Sequence, residues 1–463
     1  MSNSLTSIRQ NILDQYLACE QTALEQLINK AAISLEQRQT ISAQAAQLVT
    51  NVRDSGTPSM MEKFLAEYGL TTKEGVALMC LAEALLRVPD SYTIDALIED
   101  KVSSGNWHSH LGSSNSSLVN TSTWALLLTG KVIAPVNGNA TPADNEEQGI
   151  AKSIRSLVKK FGEPVVRKAV GQAMKELGSQ FVLGRNITEA CKMATKYEKQ
   201  GYSYSYDMLG EAARTDRDAL RYLDAYSKAI GELAASCVQD DIRLNPGISV
   251  KLSALHSRYE YPQRDQVLET LVPRTLALAQ QAHSANMGFN IDAEEADRLD
   301  LSLDVIEAVL SDPSLKNWNG FGVVVQAFGP RASYVLDWLY ALAEKLDRKI
   351  MVRLVKGAYW DAEIKRAQVF GLAGYPVFTR KVNSDVSYIC CAKQLIGMTD
   401  RIYPQFATHN AHTVSAVLSL AQGLDAEQYE FQRLHGMGES LHHQVLKQNK
   451  SRCPVSYTHL RAH

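Results

Sequence analysis

The sequence predicts an α/β protein of the (βα)8-barrel class with a mainly helical region ahead of the barrel. Three observations carry this reading. From Gly201 onward, short apolar runs alternate with amphipathic stretches of helical period, which implies a parallel sheet, open or closed. Polar residues follow nearly every strand candidate, as at a barrel mouth, whereas an open sheet concentrates its site at one switch point. No GxGxxG opens a helix after the first strand, which weakens the open dinucleotide-binding alternative.

Composition bounds the problem. The 463 residues suffice for one large domain and a smaller one, and a net charge of −2 without a long basic run gives no case for nucleic-acid binding. No basic-then-apolar leader is present, and no apolar stretch reaches bilayer length. The 7 cysteines are scattered without a CxxC pair, which favours a reducing, cytoplasmic setting over a disulfide framework or a zinc site.

Along the chain, residues 1–134 read as a helical N-terminal domain. Apolar residues recur at helical spacing from Ile8 to Val49, and Thr71–Glu74 has capping-box spacing ahead of a helix that Pro89 stops. His108 and His110 sit two apart without a third nearby ligand, so a loop or packing role is favoured over metal. Residues 135–150 turn polar and rich in Asn, Gly and Pro, a linker. Helices then occupy 151–200, one of them beginning at Asn186, a good N-cap with Glu189 three positions on. The barrel is assigned to 201–452 and an atypical tail to 453–463.

The strand candidates are 202–206, 247–252, 288–291, 322–326, 350–355, 402–407 and 429–431, with helices such as 266–282, 332–346 and 385–396 between them. Asp207, Lys251, Asp292, Gln326, Arg353 with Lys356, Thr408–Asn410 and Gln432 follow successive strands. Period-two alternation separates Ser249, Lys251 and Ser253 from Ile248, Val250 and Leu252, so a polar lumen inside an aliphatic wall is the simplest account. The stretch Arg353–Asp361 gathers two cations, a glycine and two aromatics at a strand end. Two readings of it stay open: a site for an anionic, planar ligand, and a strand end with solvated basic residues. Asp292, Glu294 and Glu295 read as partners for Arg353 and Lys251 rather than as a metal cluster, because the other strand ends are cationic or amide. His409 and His412 read as hydrogen-bonding or capping groups, and no metal site is expected.

Several long motifs resemble, in order, the flavin-dependent proline dehydrogenase family in its bifunctional bacterial form. They are Gly247–His256, Asn290–Leu299, Arg353–Asp361, Tyr403–His412 and Phe431–Gly438. The resemblance implies a helical region ahead of a distorted (βα)8, TIM-like barrel. It also implies FAD-dependent oxidation of L-proline to Δ1-pyrroline-5-carboxylate, with electrons passed to a membrane quinone. The protein is then cytoplasmic and peripheral to the inner membrane during turnover, with a homodimer as a further expectation. By the same resemblance, Lys251 pairs with the substrate carboxylate, Asp292 and Tyr359 shape the substrate pocket, and Arg353 sits beside the flavin ring. Gln326, Val355, Lys356, Gly357, Ala358 and Trp360 would hold the isoalloxazine and its tail. Thr379, Arg380, Lys381, Thr408, His409, Asn410 and Gln432 would bind the ribityl, pyrophosphate and adenosine parts.

Two departures from the family set further expectations. Many longer members begin with a ribbon-helix-helix segment that binds DNA, and since this chain starts in the helical region, no nucleic-acid partner is expected. From Val455 to His463 the chain lacks the family's final strand, the helix with paired arginines and the aldehyde dehydrogenase module. The barrel is therefore expected to be incomplete at its C-terminus and poorly active. The rival readings are a catalytically incomplete flavin-binding fragment and an aldolase-like barrel forming a Schiff base through Lys251.

Overall fold

A computed structural model describes residues 4–54, 183–184, 186–199, 201–449 and 452–461. Contacts divide the chain into two compact units, Met1–Ser55 with Leu183–His463, and Gly56–Val182. The first three helices therefore belong with the barrel. The linker at 135–150, His108, His110 and the Thr71–Glu74 capping box lie outside the described residues.

Three helices open the chain: α1 (Leu5–Asp14), α2 (Glu20–Ala31) and α3 (Leu35–Asp54). After α4 (Ile187–Glu198) come β1 (Tyr204–Leu209), α5 (Asp216–Ala234), β2 (Gly247–Val250), α6 (Leu252–Leu255), α7 (Arg264–Ser284), β3 (Gly288–Ile291) and α8 (Leu299–Leu310). Next are β4 (Phe321–Gln326), α9 (Ala332–Lys345), β5 (Ile350–Val355), α10 (Trp360–Val369), α11 (Lys381–Ile396) and β6 (Ile402–Ala407). The chain ends with α12 (Ala411–Leu420), β7 (Glu430–Leu434), α13 (Glu439–Asn449) and β8 (Val455–Arg461). Short polar side chains start several of these helices by meeting N–H groups that have no intrahelical acceptor. Asn186 accepts from Glu189 N at 2.9 Å, Asn410 from Thr413 N at 3.0 Å, and Thr215 with Asp218 forms a reciprocal capping box.

The strands pair in parallel in the order of the sequence and close as a barrel, β1 through β8 and back to β1. The (βα)8 expectation holds, but the expected opening at the C-terminal end does not. The backbone of Val455–Arg461 pairs with β1, setting Tyr204 opposite Val455 and Tyr206 opposite Tyr457, and with β7, setting Arg433 opposite Val455. Ladder hydrogen bonds are made by main chain. A short run of strand-forming residues such as Val455, Tyr457 and Thr458 can therefore satisfy two exposed edges through its main chain.

Alternation sorts the wall. Ile248, Val250, Phe289, Ile291, Val323, Val325, Val352, Leu354, Phe406 and Phe431 are buried in the core shared by sheet and helices. Ser205, Ser249, Asn290, Arg353, Gln405, Glu430 and Gln432 form a buried polar set on the strands. Gly322 makes room for one of them, since a Cβ there would lie 1.7 Å from Asn290 Oδ1. Ser253 is not part of the lumen ladder. The strand ends at Val250, and Ser253 lies on α6, where its hydroxyl accepts from Ala212 N at 2.9 Å.

The opening helices are fastened to the outside of the barrel. α1 lies against α9, α2 against α11, and α3 against α12 and α13. Arg9 reaches Asp304 at 3.0 Å and covers the Trp338 ring at 5.4 Å, while Lys30 pairs with Asp337 at 3.0 Å.

Candidate active site

The carboxyl ends of the strands bring a charge network to one mouth. Lys251, just past β2, donates to Asp207 Oδ2 at 2.8 Å and to Asp292 Oδ2 at 3.0 Å. Arg353 on β5 donates to Ser249 Oγ at 2.9 Å, Ser205 Oγ at 2.8 Å and Asp292 Oδ1 at 3.3 Å. Burial alone would lower the Lys251 pKa, but the facing carboxylates of Asp292 and Asp207 overcome it and hold the ammonium well above its usual range. For Asp207 the balance goes the other way: burial pushes its carboxyl up to about 7 against the pull of Lys251. Lys251 thus stays a cation with two of its three N–H bonds committed, and one is left for an incoming anion.

The sequence expectation for the acidic run after β3 is met only by Asp292. Glu294 turns instead to Ser253 N at 3.0 Å and Arg298 at 3.2 Å, and Glu295 pairs with Arg298 at 3.0 Å. A buried Asp207 adds a carboxylate that the sequence placed after a strand without assigning it a part.

The loop after β5 is built for close approach. Gly357 has φ +140°, and a Cβ there would fall 2.3 Å from the Phe328 ring, so no side chain fits. Gln326 orients the next residue, accepting from Ala358 N at 2.9 Å while donating to Glu294 O at 2.8 Å. Val355 and Lys356 meet the β4 loop through main chain, their carbonyls accepting from Ala327 N at 2.9 Å and Phe328 N at 2.7 Å. Tyr359 adopts the left-handed conformation at φ +64° and donates to Glu211 at 3.1 Å. Burial and then Glu211 push its phenol up to about 12. The Trp360 indole donates to Phe378 O at 2.8 Å, and the half-exposed ring stays at the rim.

Further around the rim, Lys356 and Lys381 share Asp385, in a very close contact and at 2.6 Å respectively. Burial opposes ionisation of Asp385, but the two ammonium groups outweigh it and hold the carboxyl below its usual range. Two cations around one carboxylate leave a net positive rim. Thr379 is engaged by Glu20 from α2, at 2.7 Å through its hydroxyl, and Arg380 is exposed. Thr408 N meets Gln432 O at 3.3 Å, linking β6 to β7. His409 accepts from Leu434 N at 2.9 Å, the hydrogen-bonding role read from its setting, and Asn410 caps α12.

Beneath this rim, Glu430 accepts from Gln405 Nε2 at 2.8 Å, Gln432 Nε2 at 2.8 Å and the Tyr403 hydroxyl at 3.2 Å. Turning both amide nitrogens toward one carboxylate leaves Gln405 Oε1 and Gln432 Oε1, along with Arg353 Nε, without a partner among the described residues. Buried polar atoms without partners are uncommon in proteins. Here they provide a donor and two acceptors for a flat, polar-edged group, with a cationic rim for an anionic tail. The donor set fits FAD.

The structure thus joins Lys251, Asp292 and Arg353 in one network, and Gln326, Val355, Lys356, Gly357, Ala358 and Trp360 in one loop system. Glu211, Asp385 and Glu430 were not foreseen. Period-two spacing from Gln432 marks Glu430 as facing the same way, while Glu211 and Asp385 carry no sequence signal that ties them to the site. Among the described residues no group of three or more His, Cys, Asp and Glu is placed to hold a metal.

Comparison with known proteins gives three matches along the chain. A family model described as "Proline dehydrogenase" spans residues 190–460, and "Proline utilization A proline dehydrogenase N-terminal domain" spans 6–53. Between them, "DNA-binding domain of Proline dehydrogenase" matches 60–181. That match stands against the expectation of no nucleic-acid partner: bulk charge averages over the whole chain and excludes no local surface. The segment lies outside the described residues.

The bifunctional protein PutA of Klebsiella aerogenes is 51% identical over 413 residues, covering 89% of this chain and 31% of its own length. That of Escherichia coli (strain K12) is 49% identical over 442 residues, covering 94% and 33%. The chain spans about a third of the length of these relatives. A solved structure of Bradyrhizobium japonicum Proline Utilization A superposes with a TM-score of 0.71 at 45% identity, over 96% of this chain and 44% of that one.

Proposed function

The chain belongs to the proline dehydrogenase family, whose model spans residues 190–460, and on that premise we propose that it oxidises L-proline to Δ1-pyrroline-5-carboxylate with bound FAD. The observation that carries the proposal is the buried Asp207–Lys251–Asp292–Arg353 network, in which one Lys251 N–H stays uncommitted and Arg353 Nε has no partner among the described residues. FAD, when bound, supplies the hydride acceptor. Lys251 holds the proline carboxylate through its third N–H, and its two aspartate partners keep the ammonium charged and fixed. Asp292 bridges Lys251 and Arg353, so substrate and ring positions are set by one carboxylate.

Arg353, anchored through Ser205, Ser249 and Asp292, is held as a rigid positive charge that would favour negative charge on a bound flavin. Tyr359, held by Glu211, walls the substrate pocket. Gln326, Val355, Gly357, Ala358 and Trp360 would hold the ring and the start of its tail, and Gln432 would meet the ring's polar edge. Lys356, Thr379, Arg380, Lys381, Thr408, His409 and Asn410 serve the anionic and adenosine parts. Loss of hydride from the ring carbon next to nitrogen, and of the amine proton, leaves the imine product.

Electrons then pass to a membrane quinone from a cytoplasmic protein that meets the bilayer transiently. No helix among the described residues is long and apolar enough to cross a membrane. The test is direct: load the protein with FAD, exclude oxygen, add L-proline and follow loss of the flavin absorbance. Bleaching that saturates with L-proline supports the proposal. A protein that holds FAD but is not reduced by proline would leave only the flavin-binding fragment. One that binds no FAD yet is trapped by borohydride with a carbonyl substrate at Lys251 would favour the aldolase-like barrel.

A further inference from the structure

The first turn of α2 touches a part of the rim 359 positions away in sequence. Glu20, half-buried, accepts from Thr379 N at 3.1 Å and Thr379 Oγ1 at 2.7 Å, and takes a closer hydrogen bond from the Asn383 side-chain amide. These two residues flank Arg380 and Lys381 at the start of α11. Arg380, the N-cap of α11, makes no side-chain capping bond, so Glu20 supplies from another element the negative cap that this helix start lacks. Burial would push the Glu20 carboxyl up, but the Asn383 and Thr379 donors outweigh it and keep it below the usual range.

The contact leads into the proposed flavin loop system. Phe378, next to Thr379, donates its N–H to Phe328 O at 2.7 Å and accepts from the Trp360 indole at 2.8 Å. Lys381, one residue past Arg380, shares Asp385 with Lys356. A cavity of about 330 Å3 opens beside Glu20, lined in part by Leu17, Pro330, Tyr375 and Phe378. The far end of α2 is tied separately, by Lys30 to Asp337 at 3.0 Å.

We propose that Glu20 is a positioning residue for the cofactor: by gripping Thr379 and Asn383 it holds Arg380 and Lys381 in register with Lys356 and Trp360, so that the N-terminal helices complete the flavin site from outside the barrel. The inference rests on the flavin reading of this rim.

The test compares FAD titrations of the unaltered chain with Glu20→Ala, Glu20→Gln and Lys30→Ala, followed by proline-dependent flavin reduction at saturating FAD. Glu20→Ala is expected to raise the FAD dissociation constant by about tenfold or more, the size of losing one charge-assisted hydrogen bond. Glu20→Gln, which keeps an acceptor oxygen, should fall between, and Lys30→Ala should bind FAD as the unaltered chain does. The KM for proline at saturating FAD should not move. Unchanged FAD affinity in Glu20→Ala overturns the proposal. So does tighter binding, which would make Glu20 a competitor, or equal weakening in Lys30→Ala, which would reduce the effect to general docking of α2. An unaltered chain that takes up no FAD would refute the flavin reading itself, and the inference with it.

Discussion

Replacing Lys251 by Met tests the charge network without reference to any ligand. Lys251, Asp207 and Asp292 are nearly enclosed, with side-chain exposures of 13%, 7% and 15%. Removing the ammonium leaves Asp292 with Arg353 at 3.3 Å, but strips the Asp207 carboxylate of its only hydrogen-bond partner among the described residues, since Oδ1 already has none there. Breaking a buried pair in this way costs roughly 3–5 kcal/mol, less when the orphaned acid can take up a proton. The sign of the pH dependence follows from Asp207, whose folded pKa of about 7 lies above its ordinary 3.8. The stability contributed by a raised acid is full below its unfolded pKa and is lost as pH rises through the folded one.

With Lys251 present, that loss ends near pH 7. Without it the Asp207 pKa rises further, and the loss continues to higher pH at up to about 1.4 kcal/mol per pH unit. The deficit of Lys251→Met should therefore be small at about pH 6 and approach ~2 kcal/mol at about pH 8.5. Adding Asp207→Asn should recover about 1–2 kcal/mol of it at the higher pH, because the two residues act as a pair. Urea unfolding of the single and double variants at both pH values measures this. An equal penalty at both values, with strict additivity, would show that Asp207 does not depend on Lys251.

Two further outcomes follow from neighbouring geometry. Arg353→Met should lower the flavin potential and slow reduction by about 10- to 100-fold, the equivalent of one charge-assisted hydrogen bond, with a smaller effect on proline affinity. Stopped-flow reduction checks this, and weakened proline binding with unchanged reduction would move Arg353 to substrate recognition. His442 is buried with Nε2 2.9 Å from Thr408 O, and burial first, then Arg433, lowers its pKa from 6.5 to about 4 despite that bond. A depressed histidine contributes stability above pH 6.5 that is lost as pH falls through about 4, up to ~3 kcal/mol. Thermal melts across that window should show a shallower acid slope for His442→Asn, and an unchanged slope would place the titration elsewhere.

The barrel was legible in the sequence because its physics is local. Strand candidates 288–291, 350–355 and 402–407 match β3, β5 and β6, since each is a compact apolar run with a clear break. β7 begins at Glu430 and continues through Arg433 to Leu434, later than its apolar run predicts, because its inward positions are polar and break the hydrophobic pattern. Polar residues at strand ends marked the mouth, and motif resemblance named Lys251, Asp292 and Arg353 within it. Which carboxylate pairs with which cation was not readable, because the partners come from different strands. Asp292 turns to Lys251 and Arg353 while Glu294, two residues on, turns to Ser253 and Arg298.

Two features were decided by tertiary structure alone. The eighth strand forms because main-chain pairing requires two open edges and an extended chain, not particular side chains. Glu20 meets Thr379 because α2 packs against α11, and a contact between residues 359 positions apart leaves no trace in local pattern. Periodicity and turn chemistry report what each segment prefers. Pairing of buried charges depends on where the closed barrel brings those segments together, since only there does desolvation make each partner necessary.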